Sequence, residues 1–238
     1  MAALEPLEGS QTRTERAYVA LKEAILSLRL QPGSLLLEDE LAEQLGISKT
    51  PVRDALQELE RDGLVTRVPY KGTYVTEVSE QDVREIVEIK ATLEGLAGRL
   101  VVGMFTPAEL EQAETFLDAA DTALTAGDLS EAAEQGFKFH DFILGRAPNQ
   151  RLLNMMEVLD TQMYRALRSF AIRTHERMTK SSVEHRHILA ALREGDPDQV
   201  ELAFRHHLFS FRDDVTRSHV SRTGQNVRDG SELLSPQS

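Results

Sequence analysis

The sequence predicts a mostly α-helical protein in two parts: three helices with a β-hairpin, then an all-α bundle of about six antiparallel helices. Three observations support this. Apolar residues recur at three- and four-residue spacing along most of the chain. That period gives way to β-branched alternation at residues 64–78, where LVTRV and TYVTEV flank the turn Pro69-Tyr70-Lys71-Gly72. From residue 79 on, capping signals mark one helix start after another.

Residues 1–11 are expected to be disordered. A first helix over residues 13–29 carries Ala17, Leu21, Ala24, Ile25 and Leu28 on one face, and Gln31-Pro32-Gly33 stops it. After a short apolar stretch at 34–37, a second helix (38–45) buries Leu41 and Leu45, and Gly46 allows a tight reversal. Ser48 caps a third helix running to about residue 62, with Pro51 tolerated in its first turn, where a missing N–H costs nothing. Gly63 ends it. Ala42, Gly46 and Val52 take the small, turn and packing positions of a helix-turn-helix. With the hairpin added, residues 12–78 have the plan of a winged helix-turn-helix.

Helices of the second part are expected near 79–103, 106–126, 128–145, 149–174, 181–194 and 196–219. Ser79 with Asp82, Thr106-Pro107 with Glu109, Asp128 with Glu131, Ser181 with Glu184, and Asp196-Pro197 with Gln199 each set a cap before an acid or amide at the third helical position; Asn149 supplies the remaining start. The bundle spans 79–220. The tail from 221, SRTGQNVRDGSELLSPQS, is rich in turn-formers and is expected to be disordered. Gly95, Gly98 and Gly103 would permit close helix contact at a homodimer face.

The chain has no cysteine, which excludes disulfides, Fe–S clusters, thiolate zinc sites and a cysteine nucleophile. No apolar run approaches a membrane span, and the first residues lack an export signal, so a cytoplasmic protein with no membrane partner is expected. The net charge is -12, but residues 12–76 hold 9 Lys and Arg against 10 Asp and Glu, while residues 77–238 hold 18 against 27. Phosphate can approach only the first segment at little cost.

Ser48, Lys49, Thr50 and Arg53 project from the start of the third helix, the end that enters a major groove in a helix-turn-helix. Arg53 can fork onto guanine O6 and N7, Lys49 can reach a base or phosphate, and Ser48 or Thr50 can bond a phosphate. In an arbitrary helix these would form a solvated face; within this motif the DNA reading is favoured. The run YVALKEAILSLRLQPGSLLLEDELAEQLGISKTPVRDALQELERDGLVTRVPYKGTYV, residues 18–75, closely resembles the DNA-binding domain of the GntR family of bacterial transcription regulators. The resemblance implies a double-stranded operator as partner and places Lys71 and Gly72 at a wing tip along the minor groove. The chain departs from the family at Asp39, where many relatives carry an arginine that contacts phosphate. With so few basic residues per copy, a dimer reading a short palindrome is expected.

All seven histidines lie beyond residue 139. The helical period turns His140, His185 and His207 inward, while His175, His187, His206 and His219 read as surface residues. A lone inward histidine is more often a satisfied core residue than a ligand, but three converging imidazoles make a divalent-metal site with an open position. FKFHDFIL, APNQRLL and EHRHILAALREGDPDQVELAFRHHL resemble the FCD effector domain of FadR-type GntR regulators. That resemblance implies a small carboxylate effector and a divalent ion (zinc, nickel or manganese) on His140, His185 and His207. Metal-binding relatives add an Asp or Asn one turn before the first histidine, where this chain has Gly136. Three readings follow: a three-histidine site completed by water or an effector carboxylate, a site completed by an acid from another helix, or a metal-free pocket. Lys90 stands where many relatives have arginine and can pair with an acidic effector or snorkel at the bundle edge.

A homodimeric DNA-binding regulator acting as a repressor is therefore expected. The alternatives are a constitutive DNA-binding dimer with a purely structural bundle and, remotely, a metal-dependent hydrolase. Against the hydrolase stands the lack of a general base, because Glu184 reads as a helix-cap residue pointing away from the histidines.

Overall fold

The computed structural model describes residues 12–169 and 174–232, with side chains through 167 and from 174 to 217. The disorder expected at residues 1–11 lies outside them. The chain divides into two compact units between Val78 and Ser79.

The first unit contains α1 (Arg13–Leu26), β1 (Leu35–Leu36), α2 (Glu38–Leu45), α3 (Lys49–Arg61), β2 (Val65–Val68) and β3 (Gly72–Val75). A capping box of Thr12 and Glu15 starts α1, which stops short of residue 29 because Leu28 adopts a positive φ of 60°. Apolar faces of the three helices meet around Leu21, Ile25, Val52, Leu56 and Leu59, all nearly sealed from water. Each such side chain contributes roughly 1.5–3 kcal/mol of burial. Gly46 turns the chain between α2 and α3 at φ 66°, as the sequence reading requires. One strand went unforeseen: β1 pairs with β3, giving a three-stranded sheet of order β1-β3-β2 rather than a bare hairpin. Two residues are too few to show an alternating period.

The second unit is all helical: α4 (Glu80–Leu100), α5 (Pro107–Thr125), α6 (Leu129–Leu144), α7 (Gln150–Ser169), α8 (His175–Glu194) and α9 (Pro197–Glu232). Reciprocal boxes at Ser79/Asp82 and Thr106/Glu109 start α4 and α5, and the Asp128 carboxylate accepts from the N–H groups of Ser130 and Glu131 to start α6. The helices enclose a core that includes Leu117, Phe139, Ile143, Ile188 and Phe204. Gly95 and Gly98 face α9: a Cβ on Gly98 would fall 2.6 Å from the Phe204 ring. Both glycines thus serve contact within one chain.

Two helices extend further than expected. Helix α8 begins at His175 with Thr174 as its cap, so Ser181 and Glu184 lie inside it. Nothing in HERMTK breaks a helix, and Arg177 and Met178 are buried by the extension. Helix α9 continues to Glu232, past the point where a disordered tail was expected; no proline intervenes before Pro236 to stop it.

Candidate metal centre and DNA-reading face

Helices α6, α8 and α9 bring His140, His185 and His207 together. Nε2 of His185 lies 3.1 Å from Nε2 of His140 and 3.3 Å from Nε2 of His207. Ligand nitrogens held tetrahedrally at zinc–nitrogen bond length stand about 3.3 Å apart, which these two separations match, and all three ligand atoms lie within 4.8 Å of one another. The outer nitrogens are held as well. Nδ1 of His140 donates to Glu94 at 3.0 Å, and Nδ1 of His207 donates to Glu184 at 2.8 Å. A carboxylate on Nδ1 fixes the proton there and leaves the Nε2 lone pair facing inward, which is how metal-ligating histidines are usually oriented.

Burial favours the neutral form of His185 and His207. It holds His185 well below the usual histidine range, helped by the neighbouring histidine charges, and carries His207 down to about 4 despite its bond to Glu184. Burial acts to raise Glu184, but the His207 bond and the Arg177 guanidinium outweigh it and bring its carboxyl to about 2. For Glu94, likewise, Lys90 and His140 overcome a large desolvation effect and lower it. At neutral pH His185 and His207 are neutral, and the Glu94 and Glu184 carboxylates of the cluster are ionised.

Gly136, one turn before His140 on α6, offers no side chain to the cluster. A Cβ there would meet His185 Cε1 at 3.0 Å, so the histidine ring lies against the bare backbone. Glu94 and Glu184 occupy the outer nitrogens and back the ligands from behind. In front of the cluster opens a pocket lined in part by Leu124, Phe137, Met163, Met178 and Phe211. Lys90 lines the same pocket but is 4 % exposed and already pairs with Glu94 and Asp160. The expected role of Glu184 is corrected: it caps nothing and points at His207, Arg177 and Ser210.

On the first unit, Ser48, Lys49, Thr50 and Arg53 are all exposed at the start of α3. Ser48 takes the N-cap position, yet its hydroxyl makes no capping bond. Lys49 pairs with Asp39. Arg53 forms a fork on Glu38, with Nε 3.1 and 3.2 Å from the two carboxylate oxygens and one Nη at 2.7 Å. The turn between β2 and β3 exposes Lys71 and Gly72 beside Tyr70, whose φ is 63°. Gly72 has φ 121°, and a Cβ there would lie 2.7 Å from Leu35.

Residues 13–75 match the family model described as bacterial regulatory proteins, gntR family, and residues 85–210 match the FCD domain. The chain belongs to the GntR family. It is similar to a probable D-xylose utilization operon transcriptional repressor of Paenarthrobacter nicotinovorans, 33% identical over 77% of this chain and 80% of that one. The transcriptional repressor RspR of Escherichia coli is 28% identical over 88% of this chain and 91% of its own. Among solved structures, E. coli McbR/YncC superposes with a TM-score of 0.73 at 26% identity, covering 88% of this chain and all of that one. The chain is thus a DNA-binding transcriptional regulator of the GntR and FCD type.

Within this GntR regulator, sequence reasoning found the three histidines but missed the acids behind them. Glu94 follows Lys90 by four residues on the buried face of α4, which is a legible pair. Its contact with His140 spans 46 positions and left no local trace. The contact of Glu38 with Arg53 spans 15 positions and likewise leaves no local trace.

Proposed function

We propose that this regulator is a homodimeric repressor whose bundle holds a divalent metal ion on His140, His185 and His207 and takes a small carboxylate as effector. The observation that carries this reading is the convergence of three Nε2 atoms with buried carboxylates behind two of the rings. An all-imidazole set suits zinc or nickel better than manganese. With Gly136 supplying no ligand, the remaining positions fall to water or to the effector's own carboxylate. The charges around the pocket support this: Lys90 and Arg177 are already matched to acids, so a bound cation would be the attraction for an anion. Lys90 then acts mainly by keeping Glu94 ionised behind His140.

On the DNA side, Ser48, Lys49, Thr50 and Arg53 would meet the major groove and Lys71 with Gly72 the minor groove. Ile89, Leu96 and Leu100 form an exposed apolar stripe on α4, at spacings that keep them on one face, and are our candidates for the contact between copies. Regulation requires the effector to prefer one arrangement of the dimer over another; tight binding alone would shift nothing. The hydrolase reading loses ground on chemistry, because a carboxylate titrating near 2 and bonded to His207, Arg177 and Ser210 is a poor general base.

The test is metal analysis of the purified chain beside His185→Ala, followed by thermal melts with small di- and tricarboxylates. One divalent ion per chain, absent from the variant, and a metal-dependent melting shift are expected. No bound metal and no shift would favour a constitutive dimer with a structural bundle.

A further inference from the structure

Two arginine edges matter at Arg53. Its Nε and one Nη are engaged by Glu38, which sits in the first turn of α2 and is joined to α3 through the Gly46 reversal. A guanidinium clamped along its Nε–Nη edge still presents its other edge, between the two Nη atoms, and that second edge is the one able to fork onto guanine O6 and N7. Glu38 stays ionised: the Arg53 hydrogen bonds lower its carboxyl, and the charges of Arg53 and Arg67 add to this. Lys49, one turn earlier on α3, is tied to Asp39 by a single ion pair without a fork. Two neighbouring acids on α2 thus meet two cations on α3 in different geometries.

We propose that Glu38 is a positioning residue for sequence reading: it holds the Arg53 fork in the orientation that recognises a guanine. Asp39, by contrast, only offsets the charge of Lys49. The proposal rests on the reading that α3 enters the major groove.

The physical consequence is a difference in sign. Removing a carboxylate near the phosphates strengthens binding to any duplex, because one more cation per copy is free for the backbone. This makes log K against log salt steeper by about 0.9 per copy, so the affinity ratio between 50 and 200 mM salt widens about 3.5-fold for each copy bound. Loss of the clamp also frees the Arg53 side chain to sample many rotamers, and ordering them again on a base costs part of the contact. Glu38→Gln should therefore gain affinity for random duplex while losing discrimination at one guanine. Asp39→Asn should gain affinity for every duplex and keep its sequence preference.

The experiment is selection of bound duplexes from a randomised pool with full-length wild type, Arg53→Ala, Glu38→Gln and Asp39→Asn, after matched thermal melts confirm folding. Wild type should enrich a motif containing a guanine in each half-site. Arg53→Ala and Glu38→Gln should both lose that guanine, by about tenfold in preference, and Asp39→Asn should retain it. A Glu38→Gln chain that keeps the guanine while Arg53→Ala loses it would overturn the positioning role alone. A wild type that enriches no sequence would overturn the reading of α3, and the proposal with it.

Discussion

Glu184 and Glu94 set the chemistry of the bundle site by choosing which nitrogen of His207 and His140 carries the proton. Removing such a backing carboxylate usually weakens metal binding 10–100-fold. Glu184→Gln is expected to show a loss of roughly that size in competition with a chromogenic chelator, and an unchanged affinity would mean that the carboxylate does not tune the ligand. The residue scale also shows where a sequence can be read. His140, His185 and His207 announced themselves through apolar neighbours at helical spacing, because burial imposes that period on the sequence. Glu184 was misread because Ser181 and Glu184 match a capping box in spacing; only the unbroken helix from His175 reveals a mid-helix acid. Lys90 is buried in the pocket wall rather than snorkelling at the bundle edge, and nothing local reveals that Asp160 on α7 shares its charge.

Helix packing rests on a few positions that tolerate no added atom. At Gly98 a methyl would press 2.6 Å from Phe204 Cδ2 and 3.1 Å from Val200 on α9. Gly98→Ala is expected to destabilise the bundle by about 1–3 kcal/mol through overpacking, visible as a drop of several degrees in melting temperature. A melt equal to wild type would show that α4 and α9 separate more easily than their packing indicates. Most helix starts were legible because a cap and its third-position partner are sequence-local, as Ser79/Asp82 and Thr106/Glu109 bear out. Strand β1 was not, since its pairing with β3 depends on a partner 37 or more residues away. The three-helix unit followed from hydrophobic period and the six-helix plan from capping signals; breakers mark the ends, and α8 and α9 lack them where they run on.

At the scale of the whole molecule the protein separates its tasks. Residues 12–76 carry nearly balanced charge, and the second unit carries most of the acidity and the clustered imidazoles. The exposed stripe of Ile89, Leu96 and Leu100 gives the proposed dimer a concrete check. Leu96→Glu is expected to shift sedimentation from two copies to one, whereas a persistent dimer would move the interface to another face. The measurement closest to the heart of the proposal is an anisotropy titration of the gene's own upstream duplex, using wild type and His185→Ala. Each is taken with chelator, with zinc, and with zinc plus small di- and tricarboxylates. Wild type should bind the duplex, and zinc together with a suitable carboxylate should change its Kd by about 5–150-fold, while His185→Ala binds DNA but stays unmoved. One identical Kd for both proteins under every condition would contradict a regulator governed from its histidine site.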